Sequence, residues 1–233
     1  MSLSLPKGII FDLGDTLVTV TYHGSAGVER LMELAHNPRS VPISDIIARH
    51  DELVAEARAL WGHGWETLNR SILHRNLFEP FGITFDLPDS ILDLEYCVAV
   101  HDLDPEPHAI EMLAEMHSRG VKMGVLSNSM IAGTSLATVL NRIGMLPYFE
   151  YVMSSADYGF AKPHPRIFMT AIEKLDLPAD DCYFFGDTID IDVIGSEAVG
   201  MTGIWYNPKN RTAAPPAPKH IITGWDHFLN TVG

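Results

Sequence analysis

Cysteine and positive charge are both scarce in this chain of 233 residues, which has two cysteines and 16 lysines and arginines against 30 acidic residues. Cys97 and Cys182 offer no paired spacing, which excludes a disulfide framework. Cys182, inside the run Cys182–Tyr183–Phe184–Phe185, reads as a small buried hydrophobe. The formal net charge of −14 would repel nucleic acid or an anionic membrane unless a basic patch overcame it. No such patch is present, and clusters such as Pro208–Lys209–Asn210–Arg211 are short. No uncharged apolar run reaches the roughly 18 residues of a membrane span. The first apolar stretch is short and runs into Asp12 and Asp15, unlike a signal peptide. Nucleic acid and membrane are therefore not expected as partners, and a soluble, cytoplasmic protein is expected.

Hydrophobic residues make up 46% of the chain and charged residues 20%, enough apolar material for a core without disulfides or structural metal. Gly8–Ile9–Ile10–Phe11 is a short β-rich run that stops at Asp12. Further runs end in the same way: 121–126 at Ser127–Asn128, 151–153 at Ser154, 182–185 at Gly186–Asp187, and 202–206 at Asn207. Helical patterns at 109–116, 136–140 and 167–172 lie between them, and a last strand is expected at His220–Ile222. Alternating strands and helices predict an α/β fold, a Rossmann-like core with a parallel sheet, and chemistry at the carboxyl ends of its strands. Residues 24 to 100 show helical spacing with little strand signal, broken by Pro38, Pro42, Gly62, Gly64, Pro80 and Gly82. The expected organisation is a core of residues 1–20 plus 103–233, with a helical domain inserted at 21–102.

Four polar clusters complement one another at the strand ends. Asp12 offers a carboxylate, Ser127 and Asn128 offer neutral donors, Lys162 offers a cation before a helix, and Asp187 and Asp192 add two more carboxylates. Each alone has an ordinary explanation as a helix cap, a first-turn acid or a solvated loop residue. Together they supply hard oxygen ligands for Mg²⁺ and donors for phosphoryl oxygens. A carboxylate nucleophile in that setting can accept a phosphoryl group.

These motifs resemble those of the haloacid dehalogenase superfamily. The matches are Asp12–Leu13–Gly14–Asp15–Thr16, Leu126–Ser127–Asn128, Lys162–Pro163–His164–Pro165, and Gly186–Asp187 with Asp192, Gly195 and Ala198–Val199–Gly200–Met201. Their order covers residues 8 to about 206, and the helical insert falls where the family carries a C1-type cap. The resemblance implies Asp12 as nucleophile and Mg²⁺ held by Asp12, the Gly14 carbonyl and Asp187, with Asp192 in support. It implies that Ser127 holds phosphoryl oxygens and that Lys162 balances charge. The functional expectation is a Mg²⁺-dependent phosphatase of a small phosphorylated metabolite, with Asn128 beside Ser127 and Lys162 on the substrate side.

One departure stands out. The family's phosphatases place a second aspartate two residues after the nucleophile as general acid; here that position is Gly14, and Asp15 follows. Such proton transfer is worth about 10²–10⁴-fold in rate, so good leaving groups suffer least from its loss. Asp15 or a cap histidine such as His23 are the substitutes considered. A 2-haloacid dehalogenase acting through Asp12, and a catalytically weak member that binds a phosphorylated ligand or partner, are the alternatives. No lysine occurs between Lys7 and Lys122, so the cap has no Schiff-base amine and a phosphonate-cleaving activity is not expected. The cap histidines His23, His36, His50, His63 and His74 match no metal-ligand spacing, and Trp61–Gly62–His63–Gly64–Trp65 reads as a helix break or an entrance loop. Arg30, Arg49, Arg58, Arg70 and Arg75 are candidates to meet a remote anion, although helical periodicity leaves most of them facing solvent.

Overall fold

Short apolar runs ending in polar residues become the strands of one parallel sheet. The computed structural model describes residues 3–61, 69–214 and 217–233; Gly62–Trp65 of the tryptophan-flanked motif lie outside them. The strands are β1 (Gly8–Phe11), β4 (Lys122–Ser127), β5 (Tyr151–Ser154), β6 (Cys182–Gly186), β7 (Thr202–Tyr206) and β8 (His220–Ile222). They lie in the order β5-β4-β1-β6-β7-β8, all parallel, with Phe11 level with Val125 on one side and Phe185 on the other. β1 is thus central, and its carboxyl end meets those of β4 and β6.

Side chains alternate across the sheet, so every strand feeds two cores. Ile9, Phe11, Tyr183 and Phe185 belong to one core, and Ile10, Cys182 and Phe184 to the other. Helices α5 (Ala109–Ser118), α6 (Gly133–Arg142) and α10 (Trp225–Thr231) supply Met112, Leu113, Leu136 and Trp225 to the first core. Helix α8 (Pro165–Leu175) supplies Ile167, Phe168 and Ala171 to the second. Trp225 wedges edge-on against Phe11 and Phe185, and its indole N–H donates to the Thr16 carbonyl at 3.1 Å, which pins the loop that follows β1.

The insert contains α1 (Ala26–Leu34), α2 (Ile43–Trp61), α3 (Arg70–Phe78) and α4 (Asp89–Val100). It is framed by a feature the pattern of residues did not announce. β2 (Val18–Tyr22) pairs antiparallel with β3 (His101–Pro105), Val18 opposite Pro105 and Tyr22 opposite His101. The expected boundaries at 21 and 102 fall within this ribbon. Its second strand reads His-Asp-Leu-Asp-Pro, with no β-branched residue, and is held by a partner some 80 residues upstream. Of the described residues, no helix is long and apolar enough to cross a membrane.

The insert buries unexpected polarity. His74 is packed against Phe78 and Tyr96, and burial, reinforced by the nearby Arg70 charge, pushes its imidazole down to about 3. It stays neutral when folded but takes a proton in the unfolded chain below about pH 6.5, so acidification through that range removes stability. The slope attributable to this one group is at most about 1.4 kcal/mol per pH unit. Thermal melts of wild type and His74→Phe between pH 7 and pH 4 test this: the variant should lose stability less steeply, and parallel curves would contradict it.

Candidate active site

Asp12 is the first residue beyond β1, and its backbone N–H still donates to the Phe185 carbonyl at 2.8 Å, continuing the sheet register. Its carboxylate is thereby set at the rim. Asp187 follows the last residue of β6, and Asp192 returns to the same point through a wide π-type turn over Ile189–Val193. Asp12, Asp187 and Asp192 each present one carboxylate oxygen within 4.8 Å of the others.

The cation that makes this cluster tolerable is Lys162, which is 2% exposed. Its Nζ donates to Asp12 Oδ1 at 2.6 Å and to Asp192 Oδ1 at 2.7 Å. Burial opposes the charged ammonium, but the two carboxylates outweigh burial and hold the lysine above its ordinary value. Asp192, 2% exposed, is raised by burial against the pull of Lys162, while its Oδ2 accepts from the Thr188 N–H at 3.0 Å. Burial and then the Asp12 charge raise Asp187, partly countered by the Thr188 hydroxyl and by Arg211.

Asn128 holds this lysine in place. Its Nδ2 donates to the Lys162 carbonyl at 2.9 Å, and its Oδ1 accepts from the Lys162 N–H at 2.8 Å. The amide is committed at both ends to the lysine's own backbone. Its observed work is therefore to position the cation, and its residue also lines the cavity beside Asp12. Ser127, the last residue of β4 and 7% exposed, lines that cavity of about 260 Å³ together with Asp12, Gly14 and Asp15. His164 caps α8, accepting the Arg166 N–H at 3.2 Å, and is a structural residue.

The two substitutes for the missing acid fare differently. His23 Nε2 lies 2.6 Å from Asp102 across the ribbon, and His23 does not line the cavity of Asp12. Asp15 does line it, but the residue is exposed and adopts φ 53°, a left-handed conformation that glycine usually occupies. Gly14 and Asp15 therefore exchange the residue types suited to the two positions.

Several residues escaped the motifs. Arg211 Nη2 donates to the Asp187 carbonyl at 2.7 Å, and the Trp205 indole N–H donates to the same carbonyl at 2.9 Å. His101 lines both the Asp12 cavity and a larger neighbour; its Nδ1 donates to the Cys97 carbonyl at 3.2 Å, and burial lowers its tendency to protonate. Arg70, at the start of α3, is 6% exposed, and its Nε and Nη1 have no hydrogen-bond partner among the described residues. For Arg211, Trp205 and His101 the only prior signal was residue type, because each reaches the site from a distant part of the chain, whereas Arg70 was one of the five insert arginines considered for a remote anion.

Gly186 sets how closely Asp192 approaches: a Cβ there would collide with the Asp192 side chain, which has no flexible far end to yield. Gly186→Ala is expected to leave a folded protein with divalent-ion affinity reduced tenfold or more. Titration calorimetry with Mg²⁺, alongside circular dichroism, would show whether the affinity instead survives.

Comparison with known proteins agrees with this geometry. The family model for haloacid dehalogenase-like hydrolases matches residues 6–200. A curated glyceraldehyde 3-phosphate phosphatase from Methanocaldococcus jannaschii is 26% identical over 200 residues, covering 84% of this chain and 82% of the relative. Among solved structures, a 2-haloacid dehalogenase from Pseudomonas syringae pv. Tomato superposes with a TM-score of 0.69 at 22% identity over 97% of each chain. A haloacid dehalogenase-type phosphatase from Thermococcus onnurineus superposes at 0.65, again at 22% identity, over 96% of each chain. With a Rossmann-like core, an inserted helical cap and the family model matched across most of its length, the chain belongs to the haloacid dehalogenase-like hydrolases.

Proposed function

We propose that the protein is a Mg²⁺-dependent phosphatase of a small phosphorylated metabolite, acting through a phosphoryl-Asp12 intermediate. The observation that carries this reading is the convergence of Asp12, Asp187 and Asp192 within 4.8 Å, with Lys162 bonded to two of them. A halide-displacing carboxylate needs no metal, so such a dense set of hard oxygen donors favours phosphate over haloacid chemistry. The donor set fits Mg²⁺: Asp12, Asp187 and the Gly14 carbonyl would hold it, with Asp192, whose oxygens already face Lys162 and Thr188, in support. Bound there, Mg²⁺ supplies charge neutralisation for the phosphoryl oxygens.

The chain's own residues then carry the transfer. Asp12 attacks phosphorus with the carboxylate oxygen not spent on Lys162, the ester P–O bond breaks, and the leaving oxygen keeps the electron pair. Lys162 orients Asp12 through its bond to Oδ1, and Ser127 donates to a phosphoryl oxygen. Water then attacks phosphorus, releasing phosphate and restoring the Asp12 carboxylate. Because Gly14 offers no acid, the preferred substrates are those whose leaving group departs without a proton, such as acyl or aryl phosphates. A cytoplasmic location and the division into a core at 1–20 and 103–233 and a cap at 21–102 belong to the same reading. The relatives named for sugar-phosphate dephosphorylation support the substrate class at this level.

Phosphate release from acyl, aryl and alkyl phosphates, with Mg²⁺ or EDTA, tests the proposal. Turnover should require Mg²⁺, favour acyl and aryl substrates, and vanish in Asp12→Asn. Halide release from 2-haloacids surviving EDTA would establish the dehalogenase instead, and no turnover of either kind would point to a binding member. A Cβ at Gly14 would meet only the Val20 side chain at 3.5 Å, an ordinary contact, so the backbone there has room for a side chain to begin. Gly14→Asp is expected to raise kcat on alkyl phosphates by about 10²-fold or more while changing acyl phosphates little. Equal changes on both would show that the parent already possesses an acid.

A further inference from the structure

Beside the Asp12 cavity lies a larger one of about 490 Å³, roofed by the insert and floored by the loop after β4. The two share His101, Asn128 and Ser129 in their walls, so a molecule whose phosphate sits at Asp12 extends naturally into the second space. Arg70 lines this larger cavity. Its guanidinium carbon lies over the Tyr96 ring, 3.8 Å from the centroid, and the Tyr96 hydroxyl is tied to Tyr22 at 3.0 Å and His50 at 3.2 Å. The Arg70 backbone N–H bonds to the Met130 carbonyl at 3.2 Å, which anchors the first turn of α3 to the core loop that carries Asn128.

The other arginines singled out in the insert are exposed or half-buried, and the exposed Arg58, which lines the same cavity, has an interaction of its own. Arg30 pairs with Glu33 and Glu95, Arg49 with Glu52 and Glu56, and Arg75 with Asp89. Arg70 alone of these is buried, and it forms no ion pair among the described residues. Its charged neighbours form no ion pair with it among the described residues, although the Asp93 carboxylate is within reach of its charge. The nearby Asp93 spends Oδ2 on the Ser135 hydroxyl and the Ala132 N–H, and Asp51, on the cavity rim, faces His50 at 3.3 Å. His50 and His74 are buried and neutral. A buried guanidinium in the wall of this cavity, lying over an aromatic ring and with Nε and Nη1 unmet among the described residues, has the chemistry to attract an anion.

We infer that Arg70 is the specificity determinant of this enzyme, receiving a second anionic group, carboxylate or phosphate, at the far end of a phosphorylated substrate. The inference rests on the phosphatase reading. A guanidinium–anion contact there should favour a doubly anionic substrate roughly 10- to 150-fold over its neutral counterpart.

The test uses aryl phosphates with closely matched leaving groups that carry a carboxymethyl, a phosphonomethyl or a neutral carbamoylmethyl arm. Wild type should turn over an anionic compound with kcat/KM at least tenfold above the neutral one, chiefly through KM, and the better anion identifies the group received. Arg70→Gln should bring the ratio near one, and Arg70→Lys should restore part of it. An unchanged ratio in Arg70→Gln would overturn the inference. If that variant does not fold, the wild-type panel still decides: equal kcat/KM on all three arms would refute an anion receptor. Failure of wild type to release phosphate from any arm would instead sink the phosphatase reading, so the two failures are distinct.

Discussion

Three carboxylates within a few ångströms of one another repel, and two of them are joined here through the ammonium of one buried lysine. Removing either partner from such a pair leaves an uncompensated charge in the interior, typically at a cost of 3–5 kcal/mol. The structure commits many residues to keeping Lys162 where it is. Asn128 grips its backbone from the end of β4, Thr188 orients Asp192, and Gly186 leaves the space in which Asp192 approaches. The result is a partly buried Asp12 carboxylate whose Oδ1 is fixed by the lysine ammonium at the end of β1.

The same arrangement explains why the exchange of Gly14 and Asp15 is tolerated structurally. Asp15 occupies the left-handed backbone conformation at modest cost, as aspartate can, and the loop beyond it is fixed by Trp225 bonding to Thr16. The nucleophile does not move, but the position from which an acid would act is empty of side chain. In the phosphatase proposed above, this favours leaving groups that need no proton.

Selectivity is built in a separate place from chemistry. The core supplies charge density at its strand ends, whereas the insert supplies a chamber walled in part by Arg58 and by the buried Arg70, which lies over Tyr96. The β2–β3 ribbon joins the two regions, with Tyr22 and His101 contributing to the walls of the chamber. Movement of the insert relative to the core through this ribbon would change how Arg70 and Asp12 face one another, without disturbing the Lys162 network.

The sequence by itself determined the parallel sheet, the strand ends that carry Asp12, Ser127 and Asp187, and the presence of a helical insert. Those features depend on local patterning: short apolar runs bounded by polar residues, and glycines and prolines between helical periods. Tertiary structure alone decided the rest. The ribbon strand His101–Pro105 has no local β signature and exists because Val18–Tyr22 pairs with it. Asn128 was legible as a donor near the site, but its attachment to Lys162 spans 34 residues and cannot be read from spacing. Arg70 sits on a helix whose periodicity left it as one charge among several, and only the packing of α3 over Tyr96 and Met130 buries it with no ion pair among the described residues. Local sequence fixes most of the elements, whereas the ribbon and the burial and partnership of a single charge depend on residues brought together from far apart.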